Sequence, residues 1–239
     1  MRILTLLRHG QASFDGPDYD VLSPIGEEQS RRLGEFWAER GIIFSKVFVG
    51  PRKRHQQTWE RLAEPFTLRG ICLPEPIVLP GLDEFAWEPL LKRELPRAAA
   101  EDDTLAQHLE HYLKARNGSQ KGPAFQKLFS HLVRKWIYGE IRADDIETWS
   151  DFCARVEAAL DTIREACERS PHVLAVTSGG PIAVSLRRAL GLTDDHTLEI
   201  MWTHKNGAYT ELVPTHNGWS LAGFNHAAHL TTPKLITYR

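Results

Sequence analysis

The sequence predicts an α/β fold: a three-layer α/β/α sandwich with a mostly parallel central sheet and a helical insertion. Three observations predict it. Short apolar runs, each bounded by turn residues, alternate with amphipathic stretches at helical spacing. That alternation stops between Phe85 and Glu147, where no strand signal occurs. Near the C-terminus two apolar runs flank His216-Asn217-Gly218, which marks a hairpin-like edge. The 239 residues suffice for one α/β domain with a sizeable core or for two small domains. We read one domain, residues 1–239, with the insertion at 85–147. Its apolar residues are too few for a good core of its own.

The elements follow in order. Ile3 to Leu7 is a fully buried strand, and residues 14–22, rich in Asp, Gly and Pro, are loop. Ser23 and Pro24 suit a cap and a first helical position, opening a helix that Gly41 stops. Lys46 to Val49 is a second strand, turned by Gly50-Pro51 into a helix that holds Arg52, Arg54, Gln57, Thr58 and Leu62. Ile77 to Leu79 is a third strand. The insertion carries helices over Glu101–Arg116 and Phe125–Tyr138, separated by Asn117-Gly118-Ser119 and Gly122-Pro123. Trp149 to Arg169 is a long amphipathic helix, Val173 to Val176 a fourth strand, and Ile182 to Leu190 a helix closed by Gly191. Ala208–Val213 and Trp219–Phe224 form the hairpin.

Composition excludes several classes of function. A net charge of −2 offers no basic field, so neither nucleic acid nor an anionic membrane is an expected partner. Three widely spaced cysteines, Cys72, Cys153 and Cys167, form no metal-type pair and suggest a reducing, cytoplasmic setting. Residues 3–7 are too short for a secretory segment, and no apolar stretch approaches the ~20 residues that span a bilayer. No cofactor or metal is expected.

Chemistry gathers at strand ends, the edge of an open α/β sheet where ligands bind. The first strand ends in Arg8-His9-Gly10-Gln11, with Gly10 free to take unusual backbone angles. The second ends in Gly50-Pro51-Arg52-Lys53-Arg54, and the fourth in Thr177-Ser178-Gly179-Gly180. The last joins glycine-rich backbone to a helix N-terminus, which favours an anion. Two arginines converging on such a nest match a phosphate group. Leu82-Asp83-Glu84 adds a carboxylate suited to protonating a leaving oxygen.

In order and spacing, these pieces resemble the histidine phosphatase superfamily, the phosphoglycerate-mutase-like proteins, over nearly the whole chain. The matching residues are Leu7-Arg8-His9-Gly10, Leu22-Ser23-Pro24-Ile25-Gly26, Pro51-x-x-Arg54-x-x-Gln57-Thr58, Leu82-x-Glu84 with Trp87-Glu88, Thr177-Ser178-Gly179-Gly180, and Asn225-x-x-x-His229-Leu230. The resemblance implies that His9 is a nucleophile that becomes a phosphohistidine. It implies that Arg8 and Arg54 hold the phosphoryl oxygens and that Glu84 is the proton donor and acceptor. Physics agrees, because flanking arginines keep a histidine neutral and able to attack. The catalytic set is therefore His9, Glu84, Arg8 and Arg54. Gln11, Thr177, Ser178 and Gly179 are read as substrate-binding, and the insertion as substrate-selecting.

Ser178 departs from the resemblance, which implies a second histidine there. Three accounts compete: serine, threonine and backbone N–H groups suffice; another histidine, His204, fills the gap; or the site binds a phosphorylated ligand without turnover. We favour the first, because Arg8, His9, Arg54 and Glu84 all remain. His55 is read as a surface residue, His108 and His111 as solvent-facing, His226 and His229 as structural, Trp87 and Trp136 as packing, and Arg52 and Lys53 as solvated, with Arg52 a second choice for phosphate contact. The expected function is a phosphomonoester hydrolase acting on a small phosphorylated substrate or a phosphoprotein. The alternatives are a phosphoglycerate-type mutase, or a phospho-ligand-binding protein because of Ser178. The sequence is silent on oligomeric state.

Overall fold

A computed structural model describes residues 2–13 and 19–238. Of the loop expected over 14–22, residues 14–18 lie outside that range. Six strands are present: β1 (Ile3–Arg8), β2 (Lys46–Val49), β3 (Ile77–Val78), β4 (His172–Thr177), β5 (Tyr209–Thr215) and β6 (Gly218–His226). The helices are α1 (Pro24–Glu39), α2 (Lys53–Leu68), the turn α3 (Trp87–Pro89), α4 (Leu95–Glu101), α5 (Asp103–Ala115), α6 (Lys121–Ile137), α7 (Trp149–Arg169), α8 (Gly179–Leu190) and α9 (Asp194–Thr203).

The chain divides into two compact units, Met1–Glu84 with Arg155–Arg239, and Phe85–Ala154. The first contains the whole sheet, in the order β3-β2-β4-β1-β5-β6. The four strands from β3 to β1 are parallel, and β5 and β6 close the sheet as an antiparallel hairpin, as expected. Side-chain alternation along the central strands builds a core on each face. Leu4, Leu6, Val173 and Ala175 pack with Leu160, Ile163, Ile182 and Leu186 of α7 and α8. Leu7, Leu174 and Val176 pack with Leu33, Trp37, Leu62 and Phe66 of α1 and α2. Each fully buried aliphatic side chain contributes ~1.5–3 kcal/mol, which holds β1 and β4 rigid beneath whatever their ends carry.

Register places those ends together. Arg8 pairs with Thr177 in β1–β4, and Val49 with Val176 in β2–β4. His9, Gly50 and Ser178 are therefore the first residues past the last rungs of three adjacent parallel strands.

The second unit buries apolar side chains of its own. Leu90, Leu105, Leu128, Leu132 and Phe152 are buried, and aromatic rings supply much of the rest. Phe85 and Trp136 stack at 5.0 Å, and Trp136 meets Trp149 edge-on at 5.6 Å. Other elements differ in detail. α8 starts at Gly179 rather than Ile182, and Gly122-Pro123 lies within the first turn of α6. The first N–H groups of a helix have no partner within it, so Gly and Pro are tolerated there. α9 was not expected; Thr193 caps it, its side chain accepting from the His196 N–H. No helix among the described residues is long and apolar enough to cross a membrane.

Candidate active site

His9 is buried at the carboxyl end of β1, and its two ring nitrogens have different partners. Nδ1 lies 2.6 Å from the Gly10 carbonyl. A carbonyl only accepts, so Nδ1 carries the hydrogen. Nε2 accepts from Arg54 Nε at 3.2 Å. The imidazole is thus a single neutral tautomer whose lone pair is at Nε2. Burial holds its pKa well below the ordinary 6.5, reinforced by Arg54, His55 and Arg8 and opposed by the bond to Gly10.

Gly10 is glycine for a reason other than the one expected. Its φ is not positive. A Cβ there would lie 2.3 Å from the Gly26 carbonyl oxygen, and one on Gly26 would lie 2.2 Å from that of Gln11. The two glycines let the first turn of α1 pass against the His9 turn. The Gly10 N–H donates to Thr58 Oγ1 at 3.0 Å, which ties the same turn to α2.

Arg54 is almost wholly buried in the first turn of α2, where its guanidinium links three groups. Nε donates to His9, Nη1 pairs with Asp20 Oδ1 at 2.7 Å, and Nη2 lies 3.4 Å from Ser178 Oγ. Asp20 also accepts from the Lys53 N–H at 3.1 Å. It balances a buried cation that would otherwise be costly. Arg8 donates to the His204 carbonyl and lies against Gly179, where a Cβ would be 3.7 Å from its Cζ. A second cation therefore stands beside the N-terminus of α8.

Glu84 reaches the same N-terminus. Its Oε2 accepts from the Gly180 N–H at 3.2 Å. Three contacts fasten the loop that carries it. Thr177 Oγ1 donates to the Leu82 carbonyl at 2.6 Å, Arg52 Nε pairs with Asp83 at 2.5 Å, and Arg155 Nη1 donates to the Asp83 carbonyl at 3.0 Å. Arg52 is therefore an anchor rather than a solvated residue.

The chain matches the model of the histidine phosphatase superfamily (branch 1) over residues 4–135 and 118–227. It belongs to that superfamily, and it is an enzyme of the phosphatase class. Solved structures share the fold at low identity. An alpha-ribazole phosphatase from Shigella flexneri is 18% identical with a TM-score of 0.59, covering 95% of this chain and 97% of that one. A phosphoserine phosphatase mutant from Entamoeba histolytica, in complex with phosphoserine, is 17% identical with a TM-score of 0.62, covering 96% and 100%. A phosphoglycerate mutase from Bacillus anthracis is 16% identical with a TM-score of 0.61, covering 96% and 95%. No curated protein matches the chain.

Within this histidine phosphatase, the residues read as substrate-binding fall in different places. Ser178 is buried in the site and bonded to Arg54. Gly179 opens α8 beside Arg8. Thr177 has already given its one hydroxyl hydrogen to Leu82, so its side chain has none to donate to a ligand. The Gln11 side chain accepts from Ser23 Oγ at 2.9 Å, and Ser23 in turn caps α1, so Gln11 braces the helix start.

Two histidine assignments change. His55 is fully buried, not on the surface, and its Nε2 lies 2.7 Å from Ser178 Oγ. Its ring is 5.6 Å from that of His9. His204 is also buried, but its Nε2 bonds Thr210 Oγ1 at 3.0 Å. Only its backbone carbonyl serves the site, by holding Arg8. Sequence reasoning missed His55 and Asp20, because nothing in a helix-start histidine or a loop aspartate announces a tertiary partner.

Proposed function

We propose that this enzyme hydrolyses phosphomonoesters through a phosphohistidine formed on His9. The observation that carries the reading is the tautomer of His9: Nδ1 is committed to the Gly10 carbonyl, while the Nε2 lone pair faces Arg54. Nε2 attacks phosphorus as the bond to the ester oxygen breaks. Glu84, as the acid, protonates that oxygen. Water then attacks phosphorus, Glu84 takes its proton, the P–N bond breaks and inorganic phosphate leaves. Arg8, Arg54 and the α8 N-terminus stabilise the phosphoryl oxygens, where placed charge does most of the work. Arg54 Nε donates to the Nε2 lone pair, so in this reading the arginine turns to the phosphoryl group as Nε2 attacks.

Ser178 stands, in this reading, where the family resemblance implies a second histidine. Loss of one such donor costs on the order of 10²–10³ in rate when nothing replaces it. We take the site to be active because Arg8, His9, Arg54 and Glu84 are all present. The substrate is a small phosphorylated molecule or a phosphoprotein, and the work is done in the cytoplasm. The test uses p-nitrophenyl phosphate, sugar phosphates and phosphopeptides with wild type and His9→Ala. Release by wild type alone, with an acid-labile phosphoryl label on the protein, is the expected result. Equal release by both forms removes His9 as nucleophile; no release by either removes the hydrolase reading.

A further inference from the structure

Ser178 occupies the N-cap of α8, where a serine hydroxyl ordinarily accepts a hydrogen bond from the first helical turn. Here it makes no capping bond. Its Oγ is instead 2.7 Å from His55 Nε2 and 3.4 Å from Arg54 Nη2. Ser178 and His55 are both fully buried. On its other side the His55 ring lies against the Gly50 backbone, so tightly that a Cβ there would come within 2.2 Å of Nδ1. Among the described residues the serine is the one side-chain hydrogen-bond partner of a buried imidazole, a costly group to place where an apolar ring would fill the space.

The chemistry of the pair turns on one proton. Arg54 only donates, so it occupies a lone pair of Ser178 Oγ. If the serine hydrogen points at His55 Nε2, Oγ offers a phosphoryl oxygen nothing but lone pairs. If Nε2 carries the hydrogen, it donates to Oγ and the serine hydrogen is released toward the ligand. The ligand position is within reach, because one guanidinium touches both His9 Nε2 and Ser178 Oγ. We propose that His55 is a positioning residue which, through its bond to Ser178, makes the serine hydroxyl a donor to the phosphoryl group beside His9. This rests on the reading of the site as a phosphoryl pocket.

The test measures release from p-nitrophenyl phosphate, and calorimetric binding of inorganic phosphate, for wild type, His55→Phe, His55→Gln, Ser178→Ala and the His55→Phe/Ser178→Ala double variant. Thermal unfolding of each is followed alongside. His55→Phe and Ser178→Ala are each expected to lower kcat by roughly 10–100-fold with a smaller change in KM, the value of a hydrogen bond to a charged group. The double variant is expected to lose no more than the worse single one, because the two residues act as a unit. His55→Gln, which retains a donor, is expected to recover most of the rate. A His55→Phe rate within about two-fold of wild type, losses that multiply in the double variant, or a folded His55→Gln no better than His55→Phe would each overturn the proposal. If His55→Phe does not fold, Ser178→Ala decides, and a rate within about two-fold of wild type overturns it. If wild type releases no phosphate, the hydrolase reading fails by itself. Phosphate affinity then decides this proposal: loss on the same non-additive pattern supports it, and equal affinity in all forms overturns it.

Discussion

Two regions of the sheet-bearing unit bury histidines, and only one of them sets two arginines against each of its histidines. At the carboxyl edge of the parallel strands stand His9 and His55; beside the β5–β6 hairpin stand His204 and His229. All four are at most 5% exposed. All four are held below the ordinary 6.5, the hairpin pair to about 3 and about 4, and burial is the first cause in each case. The second causes differ. His9 feels Arg54, His55 and Arg8, and His55 feels Arg54 and Arg52. His204 feels Arg8, but its ring is tied to Thr210. His229 has no second lowering influence, and the Gly207 backbone opposes the effect of burial. A depressed histidine therefore marks burial. Paired arginines and a fixed tautomer mark chemistry.

The largest effect that can break this comparison comes from His9. His9→Ala is expected to lower kcat/KM by at least ~10³-fold, as removal of a nucleophile does, while His229→Phe stays within about two-fold of wild type. Similar losses from both would erase the distinction. Next comes Arg54→Met, expected to cost on the order of 10²–10³ in kcat/KM through lost stabilisation of the phosphoryl oxygens. It also carries a pH signature. His9 attacks only when neutral, so the rate falls as pH drops through its lowered pKa. Removing Arg54 removes the main cationic cause of that lowering, so the acid limb of the pH–rate profile moves up toward neutrality. An acid limb that stays in place would show that Arg54 does not act on His9.

Much of this edge was legible in the chain. β1 and β4 are buried on both faces, so they read as largely apolar runs, and the polar residues that follow stand out against them. Register was not legible: nothing local says that Arg8 pairs with Thr177 and so sets His9 beside Ser178. His55 was misread because its burial is tertiary, produced by a glycine at position 50 and a serine on another strand end. Gly10 was recognised as special for the wrong reason, since a close backbone approach leaves no trace within the tripeptide. α9 escaped because Leu198, Ile200, Met201 and Trp202 crowd one end of the helix instead of forming a spaced stripe.

The smallest effect sharpens the comparison from the structural side. His229 is neutral in the folded protein down to about 4, whereas an unfolded histidine titrates near 6.5. Between those values the unfolded chain binds the extra proton, so stability rises with pH. The contribution is complete above pH 6.5 and is lost as pH falls toward 4, at ~1.4 kcal/mol per pH unit for one histidine. Phenylalanine cannot titrate, and it replaces two buried ring nitrogens that have no side-chain hydrogen-bond partner among the described residues. His229→Phe is therefore expected to match or slightly exceed wild-type stability at pH 7 and to lose less on acidification, with turnover nearly unchanged. Denaturant unfolding at about pH 7, 5.5 and 4.5 measures the two slopes across that window. Parallel slopes would mean that His229 does not change its proton binding on folding, and the hairpin histidines would then no longer serve as the uncatalytic counterpart of His9.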